Sequence, residues 1–183
     1  MMNKTDLLKR LKLPAMRQLG IIVKSIDRSV PYYSAVMNIR PWYRVKIVEE
    51  EIYYKGRRID LEADIAIGYS GALQFELIEV LGGEENIYTD LINAHGEGVH
   101  HIGFVVSNIQ KKIDILNESG FEAIQHGVLK TKGKAITRFV YFDTMDHYGY
   151  IFELIETTLF GLSVGQSRFM IKMGNLLGDI EVI

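Results

Sequence analysis

Two glutamates, a glutamine and a histidine recur in matching surroundings. Gln18 opens the stretch Gln-Leu-Gly-Ile-Ile-Val, and 83 residues later His101 opens His-Ile-Gly-Phe-Val-Val. Glu76 stands in Phe-Glu-Leu-Ile-Glu, and the same five residues return 77 positions on around Glu153. Each of the four faces the same side as the glycine or aliphatic residue two positions on, so each points to one face of a sheet. Burying two carboxylates there costs several kcal/mol unless something replaces their hydration. A divalent cation would do so. One imidazole nitrogen, one amide oxygen and two carboxylate oxygens, completed by one or two waters, suit zinc, nickel, cobalt or manganese, with iron less favoured. Taken singly, each residue has an ordinary explanation as an exposed strand glutamate or a hydrogen-bonded core histidine. Taken as two symmetric pairs, Gln18 with His101 and Glu76 with Glu153, they read as a metal site. Glu79 and Glu156 are also symmetric, but at strand ends they read as solvent-exposed. Strict strand alternation sends His100 to the face opposite His101, and His95, His126 and His147 have no mates and receive no role.

The elements that must hold these residues are themselves duplicated. The first half reads as a strand over 16–23, a helix over 28–37 capped by Asp27 with Pro31 in its first turn, and strands near 42–48, 61–69 and 72–80. The second half repeats this as a strand over 98–106, a helix over 109–119 ending at Gly120, and strands near 121–129, 135–142 and 149–156. The expected organisation is a leader helix in 1–15, a first βαβββ module in 16–80, a linker in 81–97 with a short helix, a second module in 98–157, and an extension in 158–183. Residues 4–12 place Leu7, Leu8 and Leu11 at helical spacing behind a Thr5 or Asp6 cap. The extension carries a helix over 168–177 suited to covering a sheet edge or a neighbour. The run Glu49-Glu50-Glu51 reads as a solvated connection.

The chain has 183 residues, 48% of them hydrophobic, which is enough for a full core. A net charge of −2 offers no basic field for nucleic acid or an anionic membrane. With no cysteine, disulfides, thiolate metal sites and a cysteine nucleophile are excluded. No apolar run is long enough to span a bilayer, and a cytoplasmic location is expected. No phosphate loop and no Gly-x-Ser-x-Gly elbow occurs.

The paired modules, the opening Gly98-Val-His-His101-Ile-Gly-Phe and the closing Phe-Glu153-Leu-Ile resemble the vicinal oxygen chelate superfamily over about residues 16–157. That group includes glyoxalase I, methylmalonyl-CoA epimerase, extradiol dioxygenases and bleomycin-resistance proteins. The resemblance implies an α+β fold in which two tandem βαβββ modules form a curved eight-stranded mixed sheet around a metal-binding cleft. It implies Gln18, Glu76, His101 and Glu153 as metal ligands, the set of eukaryotic-type glyoxalase I, while the module lengths and linker look closer to the epimerases. The implied activity is proton movement beside a carbonyl or thioester of a small-molecule substrate, with Glu76 or Glu153 as the base, in a homodimer. A metal-free antibiotic-sequestering module, with a pocket lined by Trp42, Tyr43, Phe139 and Tyr141, is the alternative. An iron extradiol dioxygenase fits less well because Gln18 replaces its first histidine. Arg17, Arg40, Arg44, Arg57, Arg58 and Arg138 are candidates for an anionic substrate tail.

Overall fold

The computed structural model describes residues 4–183. The first half runs α1 (Lys4–Leu11), β1 (Gln18–Ile22), α2 (Ile26–Met37), β2 (Tyr43–Val45), β3 (Ile47–Tyr54), β4 (Arg57–Ile59), β5 (Leu61–Ser70) and β6 (Leu73–Gly83). After α3 (Ile87–His95), the second half runs β7 (Gly98–Val105), α4 (Ile109–Glu118), β8 (Ala123–Thr131), β9 (Ala135–Phe142), α5 (Met145–Tyr148) and β10 (Ile151–Leu159). The chain closes with β11 (Leu162–Ser163), α6 (Arg168–Leu177) and β12 (Ile180–Val182). Of the leader expected over 1–15, residues 1–3, the Thr5 cap and the Leu8 side chain lie outside the described residues. Leu11 of α1 is buried against α4.

One mixed, curled sheet of twelve strands takes the order β12-β2-β5-β6-β1-β7-β10-β9-β8-β3-β4, with β11 paired to the end of β10. The expected eight strands are exceeded for local reasons. The strand expected near 42–48 breaks at Lys46 into β2, which pairs with β5, and β3, which crosses to β8 of the second half. The charged run 49–51 is therefore strand rather than connection: Glu49, Glu50 and Glu51 are exposed while Ile52 and Tyr54 are buried. Lys55 and Gly56, both at positive φ, turn β3 into β4, the tight-hairpin geometry. β11 and β12 belong to the extension, and β12 covers the free edge of β2.

The two halves meet at β1 and β7, which pair antiparallel, and each is flanked by the parallel closing strand of its own half, β6 or β10. Helices α2 and α4 pack on the outer face over clusters built on Ile26, Trp42 and Leu77 and on Ile109, Val140 and Leu154. The inner face is filled at one end by α3, where Ile87, Tyr88 and Leu91 pack on Ile22, Ile78 and Ile151. α2 begins two residues earlier than expected. Its cap is Ser25, whose Oγ accepts from Arg28 N, while Asp27 pairs with Arg44. Pro31 consequently lies in the second turn, where its missing N–H costs the bond to the Asp27 carbonyl. Among the described residues no helix is long and apolar enough to cross a membrane.

Candidate active site

Strand register brings the four sequence-predicted residues together in two crossing rows. Glu76 of β6 is level with Gly20 of β1, which is level with His101 of β7. Glu153 of β10 is level with Gly103 of β7, which is level with Gln18 of β1. In both rows a glycine separates the two polar side chains, and neither glycine is free to carry a Cβ. A methyl on Gly20 would lie 1.9 Å from His101 Cε1, and one on Gly103 would lie 2.6 Å from Gln18 Oε1 and 3.0 Å from Glu153 Oε2. The glycines are thus the cradles over which the opposite half's donors lie.

The donors converge on one nitrogen. His101 Nε2 is 3.1 Å from Glu153 Oε2, 3.3 Å from Glu76 Oε2 and 3.3 Å from Gln18 Oε1. Bonds of about 2.0–2.2 Å to a common cation put neighbouring donors roughly 3.0–3.5 Å apart, from octahedral to tetrahedral angles. The three nitrogen-to-oxygen edges have that length, while among the described residues no group of three or more His, Cys, Asp or Glu side chains is placed as a preformed metal cage. Glu153 Oε2 is buried 3.1 Å from His101 Nε2 and makes no well-formed hydrogen bond. An orphaned carboxylate oxygen inside an N,O,O,O donor set fits a borderline or hard divalent ion.

The structure corrects the expected orientation of His100. The register between β1 and β7 slips between Gly20 and Ile21, so the β7 chain bulges at His100 and both histidines are fully buried on the same side. Their Nδ1 atoms are 2.9 Å apart. Burial, reinforced by the neighbouring imidazole, holds His100 well below the usual histidine range, so its ring is neutral and can accept at Nδ1 from a proton on His101. His101 Nδ1–H donates to it, which leaves Nε2 facing the three oxygens. Burial lowers the pKa of His101, but Glu153 and Glu76 outweigh burial and raise it to about 10. Burial raises Glu153 despite the attraction of His101. In the metal-free protein the imidazolium stabilises the fold fully below about pH 6.5, its unfolded value, and that contribution is lost as pH climbs towards 10. The raised Glu153 acts with the same sign at lower pH. The melting temperature of chelator-treated protein is expected to fall from pH 6.5 to 10, and His101→Gln to abolish that fall.

Sequence reading missed Gln74, which has no symmetric mate because Ile151 occupies its counterpart. Gln18 Nε2 donates to Gln74 Oε1 at 2.8 Å, which turns Gln18 Oε1 towards His101. Gln74 Nε2 in turn donates to the Tyr69 hydroxyl at 2.7 Å, and that hydroxyl donates to the Gln166 carbonyl at 2.9 Å. Burial pushes Tyr69 up to about 12, so it remains a neutral donor. The available signal was alternation, since Gln74 and Glu76 share a face two residues apart.

Glu79 and Glu156 are not the exposed strand ends expected. Glu79 Oε2 accepts from Ile26 N at 2.7 Å, and Glu156 accepts from Asn108 N at 2.8 Å and Ile109 N at 3.3 Å. Each therefore caps the helix of its own half, placing a carboxylate at the positive end of the helix dipole. Asn108 makes no side-chain cap of its own. Glu156→Ala is expected to cost about 1–2 kcal/mol and to lower the melting temperature by roughly 3–6 °C, with metal content unchanged, as calorimetry beside elemental analysis would show.

Beyond the donor cluster the inner face opens into a cavity of about 150 Å³ between the strands and α6, and Glu76 is the one proposed ligand on its wall. The Glu76 side chain is 14% exposed against 4% for Glu153. Trp42, Tyr43, Phe139 and Tyr141 are core residues instead. Of the arginines, Arg44 is engaged with Asp27 and Asp64, and Arg17 lines a neighbouring cleft together with Arg168.

Two half-sheets that cross donors over paired glycines define a duplicated βαβββ protein with its site at the seam. The chain belongs to the Glyoxalase/Bleomycin resistance protein/Dioxygenase superfamily, the vicinal oxygen chelate group, whose family model matches residues 17–142. A hypothetical protein from Bacillus halodurans C-125 is similar at 24% identity and TM-score 0.56, over 79% of this chain and 94% of that one. Methylmalonyl-CoA epimerase from Mycobacterium tuberculosis is similar at 18% identity and TM-score 0.55, over 78% and 87%. The Streptomyces coelicolor methylmalonyl-CoA epimerase in complex with 2-nitronate-propionyl-CoA gives 18% identity and TM-score 0.55, over 78% and 96%. At these identities the likeness is one of fold. No curated protein matches the chain.

Proposed function

We propose that this protein is a metal-dependent isomerase or lyase that moves a proton on the carbon next to a carbonyl or thioester of a small-molecule substrate. The observation that carries the reading is the meeting of Gln18, Glu76 and Glu153 oxygens at 3.1–3.3 Å from His101 Nε2, with Glu76 alone opening to the cavity. These four residues would hold one divalent ion, which when bound would polarise the substrate oxygen and stabilise the charge that develops as the proton leaves. Glu76 is the base: its carboxylate borders the space where substrate sits, takes the proton and returns it. Glu153, buried behind it, holds His101 and would hold the ion. Gln18 is kept oxygen-inward by Gln74, and His101 is oriented by His100. Arg17 and Arg168, in the cleft that shares Gln74 and Gln166 with the cavity, offer positive charge to an anionic carrier group.

The test is exchange of the substrate's α-proton in deuterated water, followed by NMR, for methylmalonyl-CoA and for the hemithioacetal of methylglyoxal and glutathione. Exchange that requires zinc, nickel, cobalt or manganese and disappears with a chelator is expected. No exchange with any of the four ions, on either substrate or on longer-chain acyl thioesters, would contradict the reading. A metal-free binding module is the second reading, favoured by the apolar cavity, and tight ligand binding by protein that stays metal-free after incubation with these ions would support it.

A further inference from the structure

We infer that the cavity beneath α6 holds an uncharged, apolar substituent of the substrate, of about benzene or hexyl size, whose carbonyl end lies at Glu76. This rests on the reading of the site given above and adds what the substrate must carry. The wall is mostly hydrocarbon: Ile65, Ile67 and Leu129 from the strands, and Met170, Ile171 and Leu177 from α6, with uncharged threonines, Gln74 and Gln166 as its polar part. Among the described residues no lysine, arginine or histidine lines it. The two carboxylates present are Glu76, at the donor cluster, and Asp179, which is already used. Asp179 accepts from Thr131 Oγ1 at 3.0 Å and Gly133 N at 2.6 Å, and thereby pins the α6–β12 segment to the β8–β9 turn. A phosphate or carboxylate entering this space would lose its hydration and meet no cation, so the charged parts of a substrate stay outside. A hydrocarbon group loses nothing, and a cavity of about 150 Å³ lined by aliphatic side chains takes a benzene-sized guest.

The lining methionines make the wall adaptable, since unbranched thioether chains repack at low cost. α6 also lies outside residues 17–142, the segment that matches the superfamily, so this wall is supplied by the chain's own extension. Its attachment is polar and close to the site: Arg168 Nη2 donates to the Tyr69 carbonyl at 2.8 Å, and Tyr69 is the residue that joins Gln74 to Gln166. The extension is therefore tied to β5, and through the Tyr69 hydroxyl to Gln74 on the neighbouring strand that carries Glu76.

Neutral alcohols test the cavity without involving the metal. Titration calorimetry of 1-propanol through 1-hexanol should show one saturable site in wild type and in His101→Ala, tightening about fourfold per methylene group. Nuclear Overhauser contacts should run from the hexyl chain to the Met170 and Met173 methyls. Ala135→Phe, which fills the cavity from β9, should abolish binding while leaving the melting curve and metal content in place. Absence of saturable hexanol binding to wild type, or hexanol binding undiminished in folded Ala135→Phe, would overturn the inference. The link to the reacting site is tested on metal-loaded protein with two hydroxamates, which chelate the ion through identical heads. Octanohydroxamate should bind at least 100-fold more tightly than acetohydroxamate, and equal affinities would overturn the inference. If neither hydroxamate binds while hexanol does, the metal reading fails and the apolar site stands.

Discussion

Gly20→Ala is expected to remove metal binding almost completely while leaving every proposed ligand in the sequence. The new methyl would sit 1.9 Å from His101 Cε1, within 2.2 Å of both ring nitrogens, and under contact distance for any pair of heavy atoms. The imidazole must swing away, because β1 and β7 are central strands with pairing on both sides and cannot move apart. Losing one ligand of four, and with it the alignment of the others, should lower metal affinity at least 100-fold. Overpacking should cost about 1–3 kcal/mol. Gly103→Ala makes the matching intrusion on Gln18 Oε1, at 2.6 Å, and is expected to be milder because a flexible amide can retreat where a ring cannot. Metal titration of the two variants would check both the effect and its order. Retention of wild-type affinity by Gly20→Ala would show that His101 does not bind from this position.

Glu76→Gln is expected to lower turnover by about 10²–10⁴-fold, the usual contribution of a general base. The fall in metal affinity should be smaller, since an amide oxygen still donates. Glu153→Gln should show the opposite balance. Its carboxylate is buried against His101 and does not border the cavity, so metal retention suffers first and turnover follows metal content. Measuring turnover per bound metal in both variants separates the roles: a large loss per metal in Glu76→Gln and a small one in Glu153→Gln is expected. Equal losses per metal would mean that both carboxylates touch substrate.

That these four residues meet was legible in the sequence because duplication marks them. Offsets of 83 and 77 residues pair Gln18 with His101 and Glu76 with Glu153, and register then brings the other three to His101 Nε2. What depended on the pairing partner was not legible. Gly20 and Gly103 look like ordinary strand glycines until the opposite strand is known. His100 turns inward because β7 bulges against β1, and no local pattern announces a bulge. The caps made by Glu79 and Glu156 join strand ends to helix starts about 50 residues away, so a reading confined to local exposure assigns them to solvent. Likewise, three consecutive glutamates break any alternation in β3, and its partner β8 lies in the other half. The amphipathic pattern of 168–177 predicted α6, while the cavity that its Met170 and Ile171 cover is a product of tertiary packing.

Elemental analysis of the purified protein beside His101→Ala, after incubation with zinc, nickel, cobalt and manganese in turn, tests the donor cluster most directly. Near one equivalent of a divalent metal in wild type, lost in the variant while the protein remains folded, is the expected result. No metal in wild type with any of the four ions, or an equal content in both proteins, would contradict a metal site at His101 Nε2.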